Sequence, residues 1–227
     1  MVSAVIVAGG KSQRMGGQLD KAFLSLGPQP VLAYSLSVFQ ECQEVNSIVL
    51  VVRKEQLMAA EGVCQMFGIS KLRTIVAGGA TRQDSVLAGL KAVDPDTEIV
   101  CVHDAARPCV TKDLVSETIK SAKKCGSGVA ATKITDTVKS VEKAQTVSAT
   151  LDREKLWSVQ TPQTFKYSLL MKAFAELGKG KGGSVTDEAS AVEKLGEAVR
   201  LVPTTFLNIK ITTTDDLPLA SLLLGIK

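Results

Sequence analysis

The chain has 227 residues, of which 45% are hydrophobic, so it suits one large domain with a sizeable core. Its net charge of +4 is mildly basic and not gathered in long runs, which favours a small anionic substrate over nucleic acid. Aromatic residues make up only 4%, so stacking platforms for single-stranded nucleic acid are not expected.

The first half of the chain alternates apolar, β-branched runs with amphipathic stretches. Strands are predicted at 2–7, 47–52, 74–76 and 99–102, because nearly continuous apolar runs are typical of parallel strands covered on both faces. Helices are predicted at 31–39, 55–67 and 82–93, the last of them capped by Thr81 with Asp84 three residues on. This alternation predicts an α/β fold, a three-layer α/β/α sandwich with a mainly parallel sheet.

The pattern changes after Gly128. A strand is predicted at 129–133, whereas the Thr-, Val- and Ser-rich residues 136–159 are interpreted as a β-ribbon or an exposed arm. Alternation then resumes, with helices at 167–177, 187–195 and 215–224 and strands near 199–202 and 207–211. We therefore expect one domain spanning residues 1–227, from which the 136–159 arm protrudes.

The cysteine and histidine content excludes a zinc site of ordinary spacing. The five cysteines are scattered without a C-x-x-C pair, and the sequence has a single histidine. An odd cysteine count with no signal peptide favours a reduced, cytoplasmic compartment, or a plastid stroma if a transit peptide was removed. All five cysteines are interpreted as small buried apolar residues. No apolar stretch reaches the length of a membrane span, so no membrane partner is expected.

A glycine-rich basic segment, residues 8–17, follows the first predicted strand. Glycines let the backbone approach an anion and aim N–H groups at it, and Arg14 and Lys21 add positive charge. A P-loop is excluded because its first glycine would fall at Val5, and a dinucleotide fingerprint because its second glycine would fall at Lys11. The segment predicts a nucleotide triphosphate site of another kind; the alternative is a tight turn with incidental cations.

Two polar clusters follow later strands, where ligands of open α/β sheets bind. Residues 77–85 combine paired glycines with hydroxyl and amide side chains that can receive a nucleobase and its sugar, although a capped turn explains them too. In the cluster 103–108, Asp104 is placed to hold Mg²⁺, and Arg107 can pair with a phosphate. His103 is expected to have a structural role at the strand end.

Two more clusters lie downstream. Asp136-Thr137 and Asp152-Arg153 fall in the predicted arm. In the segment 208–212, Lys210 lies within a predicted apolar strand and must reach water, a carboxylate or an anionic ligand, because burying it unpaired is costly. An anionic ligand is favoured over a salt bridge.

In this order, the clusters resemble the 2-C-methyl-D-erythritol 4-phosphate cytidylyltransferase family of the non-mevalonate isoprenoid pathway. The matching stretches are 8–16 with Lys21, 78–86, 103–108, 136–139, 151–157, 160–165, 186–190 and 208–212. The resemblance implies a nucleotidyltransferase fold of the glycosyltransferase-A type and a homodimer with interlocking arms. It also implies that, with Mg²⁺ present, the 4-phosphate of methylerythritol phosphate attacks the α-phosphorus of CTP and releases pyrophosphate.

The resemblance assigns roles by motif match. Arg14 and Lys21 would stabilise the transition state, and Asp104 would hold the metal. The nucleotide would be bound by Ala8, Gly9, Gly10, Gly79, Ser85 and Ala105. The substrate would be positioned by Arg153, Lys210, Arg107, Thr137 and Thr186, of which Thr137 and Arg153 would reach the partner's active site.

Three rival functions remain to be weighed. The opening segment has Asp20 where the family usually has Pro, and this version also resembles a molybdenum-cofactor guanylyltransferase, for which GTP would replace CTP. Ribitol-5-phosphate cytidylyltransferase shares the fold and CTP, but Ala106 and the stretch 151–157 favour methylerythritol phosphate. A non-catalytic nucleotide-sensing module would have lost the cations, yet Arg14 and Lys21 are both present.

Overall fold

A computed structural model of the chain describes residues 1–9, 20–178 and 185–226. Its strands are β1 (Val2–Val7), β2 (Ser25–Leu26), β3 (Gln29–Pro30), β4 (Ser47–Val52), β5 (Leu72–Ala77), β6 (Ile99–Asp104), β7 (Ser127–Lys133), β8 (Lys139–Val141), β9 (Val147–Thr150), β10 (Trp157–Lys166) and β11 (Leu201–Pro203). Its helices are α1 (Val31–Glu41), α2 (Leu57–Met66), α3 (Arg82–Ala92), α4 (Lys112–Cys125), α5 (Tyr167–Gly178), α6 (Glu188–Glu193) and α7 (Asp216–Leu223). Short 3-10 helices lie at Lys21–Phe23, Lys54–Gln56, Lys143–Gln145 and Arg153–Lys155.

Within the described ranges, seven strands form the central sheet in the order β11-β7-β10-β6-β1-β4-β5. The pairs β1–β4, β1–β6, β4–β5 and β7–β11 are parallel, whereas β10 runs antiparallel to β6 and β7. The mainly parallel α/β sheet predicted from the alternation is therefore confirmed.

Both faces of the sheet are covered, which explains the continuous apolar runs. In β1, Ala4 and Ile6 pack into a core with residues of α1, α2 and α4, while Val5 and Val7 pack into a second core with residues of α3, α5 and α6. All six residues of β1 are buried, as are those of β4 and β6. A strand between two helix layers has no solvent face, so most of its residues are apolar, and buried polar side chains such as Ser3 and Ser47 are hydrogen-bonded to each other.

The predicted strand at 207–211 is wrong, because this segment is held by single contacts instead of a ladder. Its backbone bonds include Ile211 N–H to the carbonyl of Ala106 at 2.8 Å. The Asn208 amide donates to Gln160 Oε1 at 2.8 Å and to the Thr161 carbonyl at 2.9 Å. Side-chain docking thus replaces strand pairing here.

Helix α4 was not predicted, although its ends carry ordinary signals. The Thr111 hydroxyl accepts the Leu114 N–H at the start, and Gly126 at the end has φ +87°. Cys125, its last residue, is exposed, and Cys109 is only half-buried. The expectation that all five cysteines are buried is therefore wrong for Cys109 and Cys125. Cys125 is exposed because it lies at the end of α4.

The region 136–159 divides between a hairpin and the main sheet. Strands β8 and β9 pair antiparallel, with Lys139 opposite Thr150, as a separate two-stranded sheet. Residues 157–159 belong instead to β10, where Trp157 lies opposite Lys133. Among the described helices, none combines the length and apolar character that crossing a membrane requires.

Candidate active site

The site is built where β1 and β6 end side by side. In their parallel register Val7 lies opposite Asp104, and the Ala105 N–H donates to the Val7 carbonyl at 3.0 Å. On the other side of β1, the Ala8 N–H donates to the Val51 carbonyl at 2.7 Å. Two predicted nucleotide-binding residues, Ala8 and Ala105, are therefore neighbours at one edge of the sheet.

The turn between β5 and α3 closes against this edge. The predicted capping box is confirmed: the Thr81 hydroxyl accepts the Asp84 N–H at 3.0 Å, and the Asp84 carboxylate accepts the Thr81 N–H at 3.0 Å. A Cβ on Gly79 would lie 2.3 Å from the Asp84 Cβ, so only glycine fits this turn. The turn thereby brings the Gly79 backbone beside the start of α3.

Ser85 lies between the two glycine-bearing segments. Its buried hydroxyl donates to the Thr81 carbonyl at 2.9 Å and accepts the Gly79 N–H at 3.1 Å. A Cβ on Gly9 would come 2.9 Å from the same oxygen. The structure thus brings Gly9, Gly79 and Ser85 together, and it gives the Ser85 hydroxyl a role in shaping the turn.

Asp104 is the charged centre of the site. Its Oδ1 accepts from Arg82 at 3.1 Å from Nε and 3.0 Å from Nη2, and its Oδ2 accepts from Lys210 Nζ at 2.6 Å. Burial acts to raise the pKa of this carboxyl, but the charges of Arg82 and Lys210 outweigh it and hold the pKa well below its ordinary value. Asp104 is therefore ionised at any physiological pH.

Glu188 is the second carboxylate of this network, and it was not among the predicted site residues. Its side chain is 1% exposed and forms a two-pronged pair with Arg82, from Nη1 to Oε1 at 2.6 Å and from Nη2 to Oε2 at 3.1 Å. Burial nevertheless raises the pKa of Glu188 above its ordinary value. Arg82 and Glu188 are 106 residues apart in the chain, so no local pattern could have paired them.

For Lys210, an anionic ligand was predicted in preference to a salt bridge. In the structure its ammonium forms a salt bridge with Asp104. Its role in positioning substrate stays a prediction. Nearby, Arg107 Nη1 donates to the Asn208 carbonyl at 2.8 Å, and burial lowers the pKa of Arg107. Among the described residues, Arg107 Nε and Asn208 Oδ1 are buried and have no hydrogen-bond partner.

His103 is fully buried behind Asp104. Its Nδ1 lies 3.1 Å from the Thr161 hydroxyl, its Nε2 lies 3.3 Å from the Arg107 carbonyl oxygen, and its ring packs against Phe39. Burial lowers the pKa of His103 to about 3. The imidazole is therefore neutral and enclosed, in keeping with the structural role expected for it.

Lys21 and Thr186 are two further predicted site residues that lie within the described structure. Lys21 Nζ donates to the Thr212 carbonyl, which joins the 3-10 helix Lys21–Phe23 to the 208–212 segment. Thr186 is exposed and lines a cavity of about 120 Å³ together with Arg82 and Glu188. Gly10 and Arg14 lie outside the described residues.

Thr137 and Arg153 lie beside the β8–β9 hairpin. Both are exposed, and Arg153 Nη1 donates to the Thr135 carbonyl at 2.8 Å. Within the described residues, no hydrogen bond or ion pair joins either of them to Asp104. Their predicted roles in positioning the substrate stay predictions.

The donor set fits a magnesium ion that arrives with a nucleotide. No group of three His, Cys, Asp or Glu side chains that could hold a metal ion occurs among the described residues. Magnesium sites of nucleotide enzymes, however, use one or two carboxylates completed by phosphate oxygens and water. Asp104 supplies one ionised carboxylate at the end of β6. Arg82 and Lys210, which pair with this carboxylate, could also contact a phosphate.

Comparison with known proteins gives concordant matches over nearly the whole chain. The family model described as "IspD: 2-C-methyl-D-erythritol 4-phosphate cytidylyltransferase" matches residues 2–225. A protein of that name from Dehalococcoides mccartyi is 46% identical over 223 residues, covering 98% of this chain and 96% of its own. One from Alkaliphilus oremlandii is 42% identical over 219 residues, covering 96% and 92%.

Solved structures agree with these relatives. A crystal structure of 4-diphosphocytidyl-2C-methyl-D-erythritol synthase from Anaerococcus prevotii has a TM-score of 0.86 at 31% identity, covering 99% of this chain and 98% of its own. The Francisella tularensis 2-C-methyl-D-erythritol 4-phosphate cytidylyltransferase has a TM-score of 0.81 at 31% identity, covering 98% and 99%. Both similarities extend over the sheet and the site described above.

Proposed function

The chain belongs to the 2-C-methyl-D-erythritol 4-phosphate cytidylyltransferase family, and from that premise we propose how its residues perform the reaction. The enzyme transfers CMP from CTP to 2-C-methyl-D-erythritol 4-phosphate in isoprenoid precursor biosynthesis. A phosphate oxygen of the acceptor forms a bond to the α-phosphorus, and the bond from that phosphorus to the β-phosphate oxygen breaks. Pyrophosphate leaves with the electron pair, and CDP-methylerythritol is formed.

The chemistry asks for positive charge more than for a base. The attacking phosphate is already ionised, so the barrier lies in bringing two polyanions together and stabilising charge at the α-phosphoryl group. His103 would not act as a base, because it is fully buried and its lowered pKa makes it a weak proton acceptor. Arg14 and Lys21 would stabilise the transition state, and Lys210 with Arg107 would hold the acceptor phosphate.

The observation that carries this proposal is the cationic network around Asp104. Lys210 and Arg82 both contact its carboxylate, and Lys21 reaches the neighbouring Thr212 carbonyl. Three cations therefore converge on the ends of β1 and β6, where a triphosphate would lie over the Ala8 and Gly9 backbone. Asp104 would hold Mg²⁺, which when bound supplies further charge against the phosphates.

The quaternary structure and cellular location are also proposals. The β8–β9 hairpin exposes Val141 and Val147, which supports an arm that packs on a second copy of the chain. In such a homodimer, Thr137 and Arg153 would enter the partner's site. A reduced cytoplasmic setting is supported by five free cysteines, all within the described residues.

One experiment tests the activity and the rivals together. Four nucleoside triphosphates are crossed with methylerythritol 4-phosphate and ribitol 5-phosphate, and pyrophosphate release is followed with Mg²⁺ and with EDTA. We expect release with CTP and methylerythritol phosphate, and its loss in EDTA. Release with ribitol phosphate alone, or with GTP in preference to CTP, would overturn the assignment.

A further inference from the structure

Asp20 is a buried carboxylate to which the proposed function gives no role. It immediately precedes Lys21 in the chain. Its side chain is only 5% exposed. Burying a carboxylate is costly unless it is paired and hydrogen-bonded, so its partners show what it is there to hold.

One carboxylate oxygen fixes the backbone around Lys21. Asp20 Oδ1 accepts the Ala22 N–H at 3.2 Å and so caps the 3-10 helix Lys21–Phe23. The Asp20 carbonyl accepts the Phe23 N–H at 3.0 Å, which completes the turn. Ala22, between the two, is 3% exposed and packs into the core. The Lys21 main chain is therefore anchored on both sides of the residue.

The other oxygen ties this turn to the sheet. Asp20 Oδ2 accepts from Arg53 Nε at 3.1 Å. Arg53 follows directly on β4, a fully buried strand paired with both β1 and β5, and its carbonyl accepts the Gln56 N–H at 2.8 Å. Since β4 is held on both edges, Arg53 is a fixed point at the same side of the sheet as Ala8 and Gly9.

We propose that Asp20 and Arg53 form a positioning pair that aims the Lys21 ammonium across the site toward the 208–212 segment. The inference rests on the proposed role of Lys21 at the α-phosphoryl group. The φ of Asp20 is −85°, and the hydrogen bonds of its two carboxylate oxygens restrict the backbone immediately before Lys21.

The test is a double-mutant cycle of Asp20→Asn and Arg53→Gln, with kcat, the KM for CTP and thermal unfolding measured for each protein. Asn remains a good helix cap but loses the charge opposite Arg53, so misaimed Lys21 should lower kcat on the order of 10- to 100-fold with the KM for CTP within about twofold. In the double variant, two neutral amides can pair again, and at least half of the loss in log kcat should return.

The matched control is another Asp–Arg pair. Asp94→Asn breaks its 2.6 Å pair with Arg73, which lies near the start of β5 and away from the site. We expect kcat to stay within about twofold of the parent. Lys21→Met serves as the reference for loss of the ammonium itself.

The outcomes separate the two levels of inference. If Lys21→Met abolishes turnover while Asp20→Asn and Arg53→Gln leave kcat unchanged, the positioning pair is refuted and the role of Lys21 stands. If Lys21→Met turns over normally, the proposed role of Lys21 fails, and the pair's function with it. If the single variants lose kcat only in proportion to folded fraction, the pair is structural and the proposal is overturned.

Discussion

At the scale of single residues, Asp104 and Glu188 share one guanidinium. Arg82 contacts both carboxylates, so it neutralises a fully buried Glu188 and orients Asp104 at the same time. Paired charges inside a protein contribute little net stability, but removing one partner leaves the other uncompensated. The network is therefore sensitive to the loss of any one member.

We predict that Arg82→Met destabilises the fold by about 3–5 kcal/mol, because it leaves Glu188 buried and unpaired. The free energy of unfolding in urea measures this. The control Arg73→Met removes an ion pair in which Arg73 is 40% exposed, and should cost at most about 1 kcal/mol. Equal losses in the two variants would contradict the prediction. Arg82→Met combined with Glu188→Leu should recover part of the stability.

The buried imidazole of His103 predicts a pH dependence of stability. Its pKa is lowered to about 3 in the fold from 6.5, so between these values the unfolded chain binds a proton that the folded chain does not. The titration of His103 therefore leaves the free energy of unfolding unchanged above pH 6.5. Below pH 6.5 the free energy of unfolding falls by up to about 1.4 kcal/mol per pH unit, because protonation favours the unfolded chain.

Urea unfolding at pH 7, 6 and 5 checks this prediction. His103 is the only histidine of the chain, so His103→Gln should remove the histidine part of the slope without interference from another imidazole. The substitution costs stability at pH 7 because packing is lost, and the readout is the change with pH. A slope unaltered in the variant would refute a neutral buried His103.

At the scale of elements, α3 owes its position to a glycine. A Cβ on Gly89 would lie 2.4 Å from Val5 Cγ1 and 2.8 Å from Val51 Cγ2, so the helix backbone packs directly on β1 and β4. This close approach places the start of α3, with Arg82, against the end of the sheet. The helix therefore delivers the central guanidinium of the site.

Two helical glycines make a matched test of that packing. Gly89→Ala should destabilise by roughly 1–3 kcal/mol, because the methyl group overpacks against two valines. Gly62→Ala, in the middle of α2 where no described atom beyond the local helix backbone lies within 4 Å of the added carbon, should stabilise by about 0.5–1 kcal/mol through backbone entropy. Chemical denaturation of both variants gives the signs. The same sign in both would refute the argument.

At the scale of the whole molecule, the β8–β9 hairpin is a separate two-stranded sheet, and within the described residues no hydrogen bond or ion pair joins Thr137 or Arg153 to Asp104. In the proposed homodimer, each active site takes Lys21 from one copy of the chain and Arg153 from the other. We predict that Arg153→Ala raises the KM for methylerythritol phosphate at least tenfold. In a one-to-one mixture of Arg153→Ala and Lys21→Met chains, half of the dimers should be mixed and one of the two sites in each should be intact, so up to about a quarter of the activity should return.

Co-refolding the two variants and assaying pyrophosphate release tests this complementation. The control mixes Lys21→Met with Lys210→Met chains. Because both residues are placed in the site of the same copy, every site of a mixed dimer lacks one of them, and we expect no recovery. No recovery with Arg153→Ala would contradict the shared site.

Much of the fold follows from local patterns. The runs that became β1 and β4 were predicted with the bounds that the structure has, because a strand between two helix layers is apolar at nearly every position. The strand predicted at 207–211 was wrong because its groups bond singly to neighbouring segments: the Asn208 amide to Gln160 and Thr161, and the Ile211 N–H to Ala106. Helix α4 was missed although Thr111 and Gly126 mark its ends.

The sequence by itself determined the family, the sheet layers and the residue types of the site, since these depend on composition and order along the chain. Only the tertiary structure decided which charged side chains form ion pairs. Lys210 and Asp104 are 106 residues apart, as are Arg82 and Glu188, and Asp20 and Arg53 are 33 apart. Such pairs are set by the order of strands in the sheet and by burial, which remove alternative partners and water; no local spacing encodes them.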